Sequence, residues 1–355
     1  MAGIFEPRYI RKIKIENGLA LPPMVAFGFA DESGMVSDRN VAHYSRIAQN
    51  GIGLIIVEAT CISPEGRLDS RQLGIWDDSF IDGLSRISGA VHEAGSKVFI
   101  QLHHAGMKAK SDVAKEPFTS SDYDDGRMKG REMTYEEIKR VISQFREAAI
   151  RAREAGFDGV EIHGAHGYLL TQFFNSKVNK RTDQYGGTFE NRNRLAAEIY
   201  EDVREACGDD FVIGIRVGSN DDNLEESIER ARFFEKLGFD YLHVSTGFDG
   251  TRSVDELPED FPCNWIVYGG VKIKENVGIP VIGVNMIKDE NQIGYLLNNE
   301  LLDFVALGRA QLADYNFVKH MRNNDKILYC LECKPCKWWT DGRECPRQIQ
   351  AARQI

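Results

Sequence analysis

The stretch from Thr134 to His163, TYEEIKRVISQFREAAIRAREAGFDGVEIH, decides the fold. Thr134 and Glu137 have the spacing of a capping box, which predicts that an amphipathic helix begins there. Gly156 is a helix stop, and the short apolar run from Gly159 to His163 has the pattern of a buried strand. Helix, stop and strand together make one step of an alternating α/β fold.

The same alternation recurs along the whole chain. The predicted strands are Met24 to Phe29, Leu54 to Glu58, Lys97 to Leu102, Gly159 to His163, Val212 to Val217, Tyr241 to Val244, Pro280 to Val284, and Phe304 to Leu307. Eight such steps without a block of strands alone favour an α/β protein with a closed (β/α)8 TIM barrel. An open doubly wound sheet is the alternative, but no G-x-G-x-x-G follows the first strand and no P-loop occurs.

Composition excludes several classes of protein. The chain has 355 residues, of which 42% are hydrophobic and 28% are charged, so it has enough apolar material for a large core. Forty-four basic against 54 acidic residues leave a net charge of −10, which disfavours nucleic acid as a partner. No apolar stretch approaches the length of a membrane span, and the N-terminus lacks a signal core. We therefore expect a soluble cytoplasmic protein without a membrane partner.

Two segments depart from the alternation. Residues 103–133 lack clear periodicity, and because loops this long are usually functional, we expect them to form a partial lid over the barrel mouth. Residues 326–355 carry four of the seven cysteines. We therefore divide the chain into a barrel domain, 1–325, and a C-terminal cysteine-rich extension, 326–355.

The chemistry of a TIM barrel lies at the carboxyl ends of its strands. His163 and His166 follow the fourth strand, with Tyr168 two residues beyond. Two neutral imidazoles can donate N–H bonds to a carbonyl oxygen, and a phenol can deliver a proton as general acid. A pair of capping histidines or a metal pair would have the same spacing.

Other strand ends carry groups suited to a flat heterocycle with a phosphate. Gln101 offers a donor and an acceptor together, and Arg216 offers a fixed cation, a combination that suits a flavin. The seventh and eighth strands end in Gly283-Val284-Asn285 and Gly308-Arg309, where barrels commonly bind phosphate. Taken singly, each of these groups also fits an ordinary rim or turn position.

One long motif resembles a known family. The segments HGAHGYL, 163–169, and NKRTDQYGGTFENR, 179–192, resemble the signature of the old yellow enzyme family of FMN-dependent ene-reductases. Shorter matches cover almost the whole barrel: Pro22-Pro23-Met24, Glu58-Ala59-Thr60, Ser63 to Arg67, Gln101-Leu102, Ala105-Gly106 and Gly308-Arg309.

The resemblance implies a role for each matching residue. His163 and His166 would bind the substrate carbonyl, and Tyr168 would protonate its α-carbon. FMN would contact residues at the strand ends: Pro23, Met24, Val25, Ala59, Gln101, Arg216, Gly283, Asn285, Gly308 and Arg309. Phe27 would line the substrate pocket. NADH or NADPH would reduce FMN and leave before an unsaturated carbonyl compound binds, a ping-pong sequence in a single pocket.

The sequence departs from the family pattern at four places. Val25 replaces the frequent Thr or Cys near the flavin, and Phe27 replaces a frequent Tyr. His103 and Met107 replace the common Ala and Arg of the following loop. The flavin potential and substrate preference are the properties these differences affect.

The C-terminal cysteines predict a metal or redox site. Cys330, Cys333, Cys336 and Cys345 have a spacing that suits a [4Fe-4S] cluster or structural zinc, and free thiols are the third alternative. The segment resembles the cluster segment of the 2,4-dienoyl-CoA reductase and trimethylamine dehydrogenase group, although the third gap is shorter here. A cluster would imply a separate electron-donor protein.

Three functions stay open at this level. The leading one is an NAD(P)H-dependent ene-reductase of small-molecule unsaturated carbonyl compounds. The others are a flavin and iron-sulfur electron-transfer subunit and a flavin-free barrel lyase or isomerase. Because members of the resembling family often assemble, we expect a homo-oligomer.

Overall fold

The computed structural model describes residues 3–352, without side chains for 351 and 352. Eight parallel strands pair in chain order, and the eighth closes on the first through Val305 and Leu19. The barrel strands are Leu19–Leu21, Leu54–Cys61, Lys97–His103, Gly159–Gly164, Val212–Gly218, Tyr241–Ser245, Val281–Val284 and Phe304–Ala306. The prediction of a TIM barrel is therefore confirmed.

Helices pack around the outside of the barrel. They span Asp38–Ala48, Ile81–Glu93, Tyr135–Glu154, Leu169–Phe174, Phe189–Cys207, Leu224–Leu237, Trp265–Lys274, Glu290–Asn298, Arg309–Ala313, Phe317–Asn323 and Pro346–Ala352. The predicted capping box is present at the start of the helix Tyr135–Glu154. Thr134 Oγ1 accepts from the Glu137 backbone N–H, and the Glu137 carboxylate accepts from the Thr134 backbone N–H. No helix among residues 3–352 is long and apolar enough to span a membrane.

The predicted first strand is wrong. The strand is Leu19–Leu21, and Met24 to Phe29 forms a loop after it. Three residues are too few to show a period, and two prolines without N–H groups follow them and end the ladder. The loop instead lies under the C-terminal extension, where the Trp338 Nε1–H donates to the Val25 carbonyl at 2.9 Å.

The closed end of the barrel is apolar. Leu54 and Ile56 alternate with Ile55 and Val57 and point into the barrel, where they pack in one cluster with Ile10 of an N-terminal hairpin. That hairpin pairs Arg8–Ile10 with Ile13–Ile15. Because it fills this end, access to the barrel interior is from the carboxyl ends of the strands.

The segment 103–133 contains more regular structure than its sequence indicates. Phe118–Thr119, Tyr123–Asp124 and Lys129–Glu132 form a small three-stranded sheet, each strand too short for periodicity to show. Lys108 joins the segment to the barrel mouth, because its Nζ donates to the His166 carbonyl at 2.7 Å.

Candidate active site

A cavity of about 320 Å³ opens at the carboxyl ends of the strands. Most of the residues predicted for the site lie on its wall: Pro23, Met24, Val25, Phe27, Ala59, Gln101, His163, His166, Tyr168, Arg216, Asn285, Gly308, Arg309, Cys330 and Cys336. Gly283 does not line it, and a Cβ at that position would lie 2.2 Å from the Leu302 side chain. The structure therefore brings together groups from distant parts of the chain.

His163 and His166 form a hydrogen-bonded chain along one side of the cavity. His163 Nδ1 accepts from the Ala165 backbone at 3.3 Å, so its proton is on Nε2, which lies 3.3 Å from His166 Nδ1. His166 Nε2 in turn lies 2.8 Å from Ser245 Oγ. Burial lowers the pKa of both imidazoles well below the ordinary value. Both are therefore neutral N–H donors near pH 7.

Tyr168 packs at the edge of this pair. Its ring centroid lies 5.0 Å from that of His163 in an edge-to-face arrangement. Burial raises the pKa of its phenol to about 12, and the nearby charge of Arg216 only partly opposes the rise. Tyr168 is therefore protonated across the physiological pH range, as a proton donor must be.

His103 belongs to the same cluster, although the sequence analysis marked it only as a departure from the family. Its ring centroid lies 4.5 Å from that of Tyr168, and Gln72 Nε2 lies 3.1 Å from its Nδ1. The side-chain oxygen of Gln72, Oε1, accepts from the Leu68 backbone N–H, so the side-chain amide presents its N–H to His103. His103 Nδ1 therefore accepts this bond, and the proton of the ring is on Nε2. That buried Nε2 has no hydrogen-bond partner among the described residues.

Gln101 and Arg216 form the deep wall. Gln101 Nε2 donates to Glu161 at 2.7 Å, whereas its Oε1 is buried without a partner among the described residues. The Arg216 Nε is buried and unpartnered in the same way. Burial lowers the pKa of Arg216 to about 10, opposed by Glu161, so the guanidinium remains charged near pH 7. An unused acceptor beside a cation fits the pyrimidine edge of a flavin, which carries an N–H donor and becomes electron-rich on reduction.

After the seventh and eighth strands, the cavity wall carries two cations and, from the C-terminal extension, one carboxylate. Arg309 follows Gly308 at the end of the eighth strand and contacts the Met286 sulfur. Lys288, which sequence reasoning missed, also lines the wall and pairs with Glu332 at 2.6 Å. Nothing in the sequence marked Lys288 as a site residue, because a lysine after a strand is common on protein surfaces. The charges of Arg309, Lys288 and Glu332 leave this part of the wall with one net positive charge, which suits the phosphate of FMN.

The cysteine extension contributes to the same wall. Cys330, Cys336 and Trp338 line the cavity, and all four cysteines of the segment are free thiols. Burial raises the pKa of the Cys345 thiol. Among residues 3–352, however, no three His, Cys, Asp or Glu side chains converge as they would around one metal ion.

Comparison with known proteins decides the family. The model of the NADH:flavin oxidoreductase / NADH oxidase family matches residues 3–326. The chain belongs to this family. It is 36% identical over 343 residues to the NADH oxidase of Thermoanaerobacter brockii, a match that covers 93% of this chain and 52% of that protein. The chain thus spans about half the length of this curated relative.

Solved structures give the same fold. The old yellow enzyme homologue from Zymomonas mobilis has a TM-score of 0.80 at 26% identity, covering 95% of this chain and 96% of that one. A 2-naphthoyl-CoA reductase in complex with 2-naphthoyl-CoA has a TM-score of 0.87, covering 97% of this chain and 56% of that one. At 23% identity, the latter supports the fold alone. The resemblance to the old yellow enzyme family is confirmed.

Proposed function

We propose that the protein binds FMN and uses NADH or NADPH to reduce the activated C=C bond of α,β-unsaturated carbonyl compounds. The observation that carries the proposal is that one cavity has two chemically different halves. One half has neutral N–H donors and a protonated phenol at His163, His166 and Tyr168. The other half has the Gln101 acceptor and the Arg216 cation.

The residues present fit FMN at both ends. Gln101 and Arg216 would hold the pyrimidine edge, and Arg309 with Lys288 would hold the phosphate. Pro23, Met24 and Ala59 would bound the ring system between them. FMN held by these residues would supply hydride transfer, from NAD(P)H to the β-carbon of the substrate.

The chain's own residues perform the rest of the reaction. In the structure the N–H of His163 faces His166, and the N–H of His166 faces Ser245. Both N–H groups would turn to the substrate carbonyl oxygen, which becomes negative as the β-carbon is reduced. Tyr168 would donate its phenolic proton to the α-carbon, and water would restore it. The C=C bond thus gains one hydride and one proton. Because nicotinamide and substrate would share the cavity, we expect ping-pong kinetics.

The proposed site suits several classes of carbonyl substrate. The carbonyl can belong to an enone, an enoate or a thioester, since each places an oxygen where N–H donors can bind it. The same-fold reductase in complex with 2-naphthoyl-CoA makes an acyl-CoA thioester a class to include in the substrate panel.

The test is an anaerobic absorbance spectrum of the purified protein, followed by titration with NADH and NADPH. A flavin band that bleaches with either nucleotide and returns on adding cyclohexenone, with parallel double-reciprocal plots, is the expected result. A protein that shows no flavin band even after reconstitution with FMN would overturn the proposal and favour a flavin-free barrel lyase or isomerase.

We propose that the C-terminal extension, 326–355, is a unit distinct from the barrel. It favours a second function, electron transfer. Its four thiols are of the donor type that a [4Fe-4S] cluster takes, and two of them line the cavity. Among the described residues no three of them converge, so a cluster would have to draw them together. Four of the six large hydrophobic side chains exposed in residues 3–350 also lie here: Tyr329, Leu331, Trp339 and Ile349. A cluster beside an apolar surface would suit an electron-transfer subunit that receives electrons from a separate protein.

Iron analysis and electron paramagnetic resonance of anaerobically purified protein distinguish these functions. About four irons per chain, lost in Cys336→Ser but kept in the buried-cysteine control Cys207→Ser, is expected for a cluster. Bound zinc, or no metal, would remove the cluster from the proposal. Failure of NADH and NADPH to bleach a bound flavin would favour the electron-transfer subunit over the ene-reductase.

A further inference from the structure

A fully buried carboxylate lies beneath the deep wall of the cavity. Glu161 is on the fourth barrel strand, and its Oε1 accepts from Gln101 Nε2 at 2.7 Å. Its Oε2 accepts from Tyr241 Oη at 3.1 Å and from His243 Nδ1 at 2.9 Å. Three donors thus converge on one carboxylate in the barrel interior, where an unpaired charge would be unstable.

Glu161 remains ionised in this position. Burial alone would raise its pKa, but His243, Arg216 and Gln101 more than offset that effect and hold the pKa below its ordinary value. An ionised carboxylate can only accept hydrogen bonds. The Gln101 amide therefore cannot turn over, because its oxygen would then face a negative oxygen. Its N–H is held against Glu161, and its Oε1 is left as a free acceptor.

The same negative charge acts on Arg216. The fourth and fifth barrel strands pair Glu161 with Gly214 and His163 with Arg216, so Glu161 and Arg216 lie two positions apart on the same face of neighbouring strands. The attraction between them opposes the effect of burial, which lowers the pKa of Arg216. Reduction of a flavin adds negative charge to its pyrimidine edge, which a cation stabilises. A carboxylate close to that cation offsets part of its field, since interactions in a buried site are weakly screened.

We propose that Glu161 is a positioning residue that holds the Gln101 acceptor toward the flavin and, by offsetting Arg216, lowers the reduction potential of bound FMN. The inference rests on the proposed FMN site and deepens it. A residue that served packing alone would need neither the charge nor the hydrogen bond to Gln101.

The test compares Glu161→Gln with a matched control, Tyr241→Phe, in FMN-loaded protein. Glu161→Gln keeps the size of the side chain but removes its charge. Tyr241→Phe removes one hydrogen bond of the same network, yet leaves the charge of Glu161 with its donors Gln101 and His243. We expect Glu161→Gln to raise the equilibrium constant for two-electron reduction at least tenfold, or about 30 mV by dye equilibration. The control should stay within a few mV of the unchanged protein.

A second measurement addresses the orientation of Gln101. N3-methyl FMN lacks the flavin N–H, so the unchanged protein should bind it more weakly than FMN, and Glu161→Gln should discriminate less between the two. If Glu161→Gln does not fold, Glu161→Asp replaces it: its shorter reach to Gln101 should reduce this discrimination while the retained charge leaves the potential nearly unchanged.

Equal potentials in Glu161→Gln and the unchanged protein, or an equal shift in Tyr241→Phe, would overturn the inference, and so would unchanged discrimination in Glu161→Asp. Failure of the unchanged protein to bind FMN would instead contradict the proposed function. The two failures are therefore distinguishable.

Discussion

Replacing Tyr168 with Phe should separate the two halves of the proposed reaction. The phenol contacts His103 and His163 through its ring, and Phe retains that ring while removing the proton donor. Because the pKa of Tyr168 is about 12, the phenol is protonated at every pH used for the assay, and its loss removes a general acid outright. General acids contribute about 10²- to 10⁴-fold, or roughly 3–5 kcal/mol in the barrier.

Stopped-flow spectroscopy measures each half-reaction. Reduction of bound FMN by NADH should be unchanged in Tyr168→Phe within about twofold, because that step needs no proton from the protein. Reoxidation by cyclohexenone should slow by about 10²- to 10⁴-fold. Reoxidation by a quinone, whose oxygens take protons from water, serves as the control and should be nearly unaffected. Equal losses in all three rates, or a normal rate with cyclohexenone, would refute the role of Tyr168.

Three further predictions test other parts of the molecule. Arg216→Met should lower the FMN reduction potential, opposite in sign to Glu161→Gln, and an unchanged potential would contradict the role of Arg216. Thr134→Ala should reduce the free energy of unfolding by about 1 kcal/mol because it removes the helix cap, with Thr134→Ser as a near-neutral control in chemical denaturation. Burial lowers the pKa of His43 to about 3 from 6.5, so below about pH 6.5 the unfolded chain binds a proton that the folded chain does not. The melting temperature should therefore fall from pH 7 to pH 5, and His43→Gln should fall less steeply; an identical slope would contradict this.

The fold could be read from the sequence wherever a helix and its following strand were long enough to show a period. The helix predicted from the capping box begins at Tyr135, directly after Thr134, and the strand Gly159–Gly164 extends one residue beyond its predicted end at His163. The first barrel strand could not be found because it has three residues, whereas the apolar loop after it imitates a strand. The strands within 103–133 were missed for the same reason.

The candidate site was predictable in its membership but not in its hydrogen bonding. Strand ends placed Gln101, His163 and Arg216 at the mouth, since parallel strands of a barrel end on one side. Lys288 carried no signal, because only the closed cavity shows that its side chain is on the wall. Glu161 was hidden as one polar residue within an apolar strand.

The sequence by itself determined the alternation of helices and strands, the barrel and the residues at its open end, because these depend on local periodicity and chain order. Only the tertiary structure decided which ring nitrogen of each histidine carries the proton, which way the Gln101 side-chain amide faces and which charge opposes that of Arg216. The orientation of Gln101 depends on contacts between residues 60 and 82 positions apart, Gln101 with Glu161 and Glu161 with His243. Local sequence does not encode such contacts, because they exist only once the barrel has closed and water has left its interior.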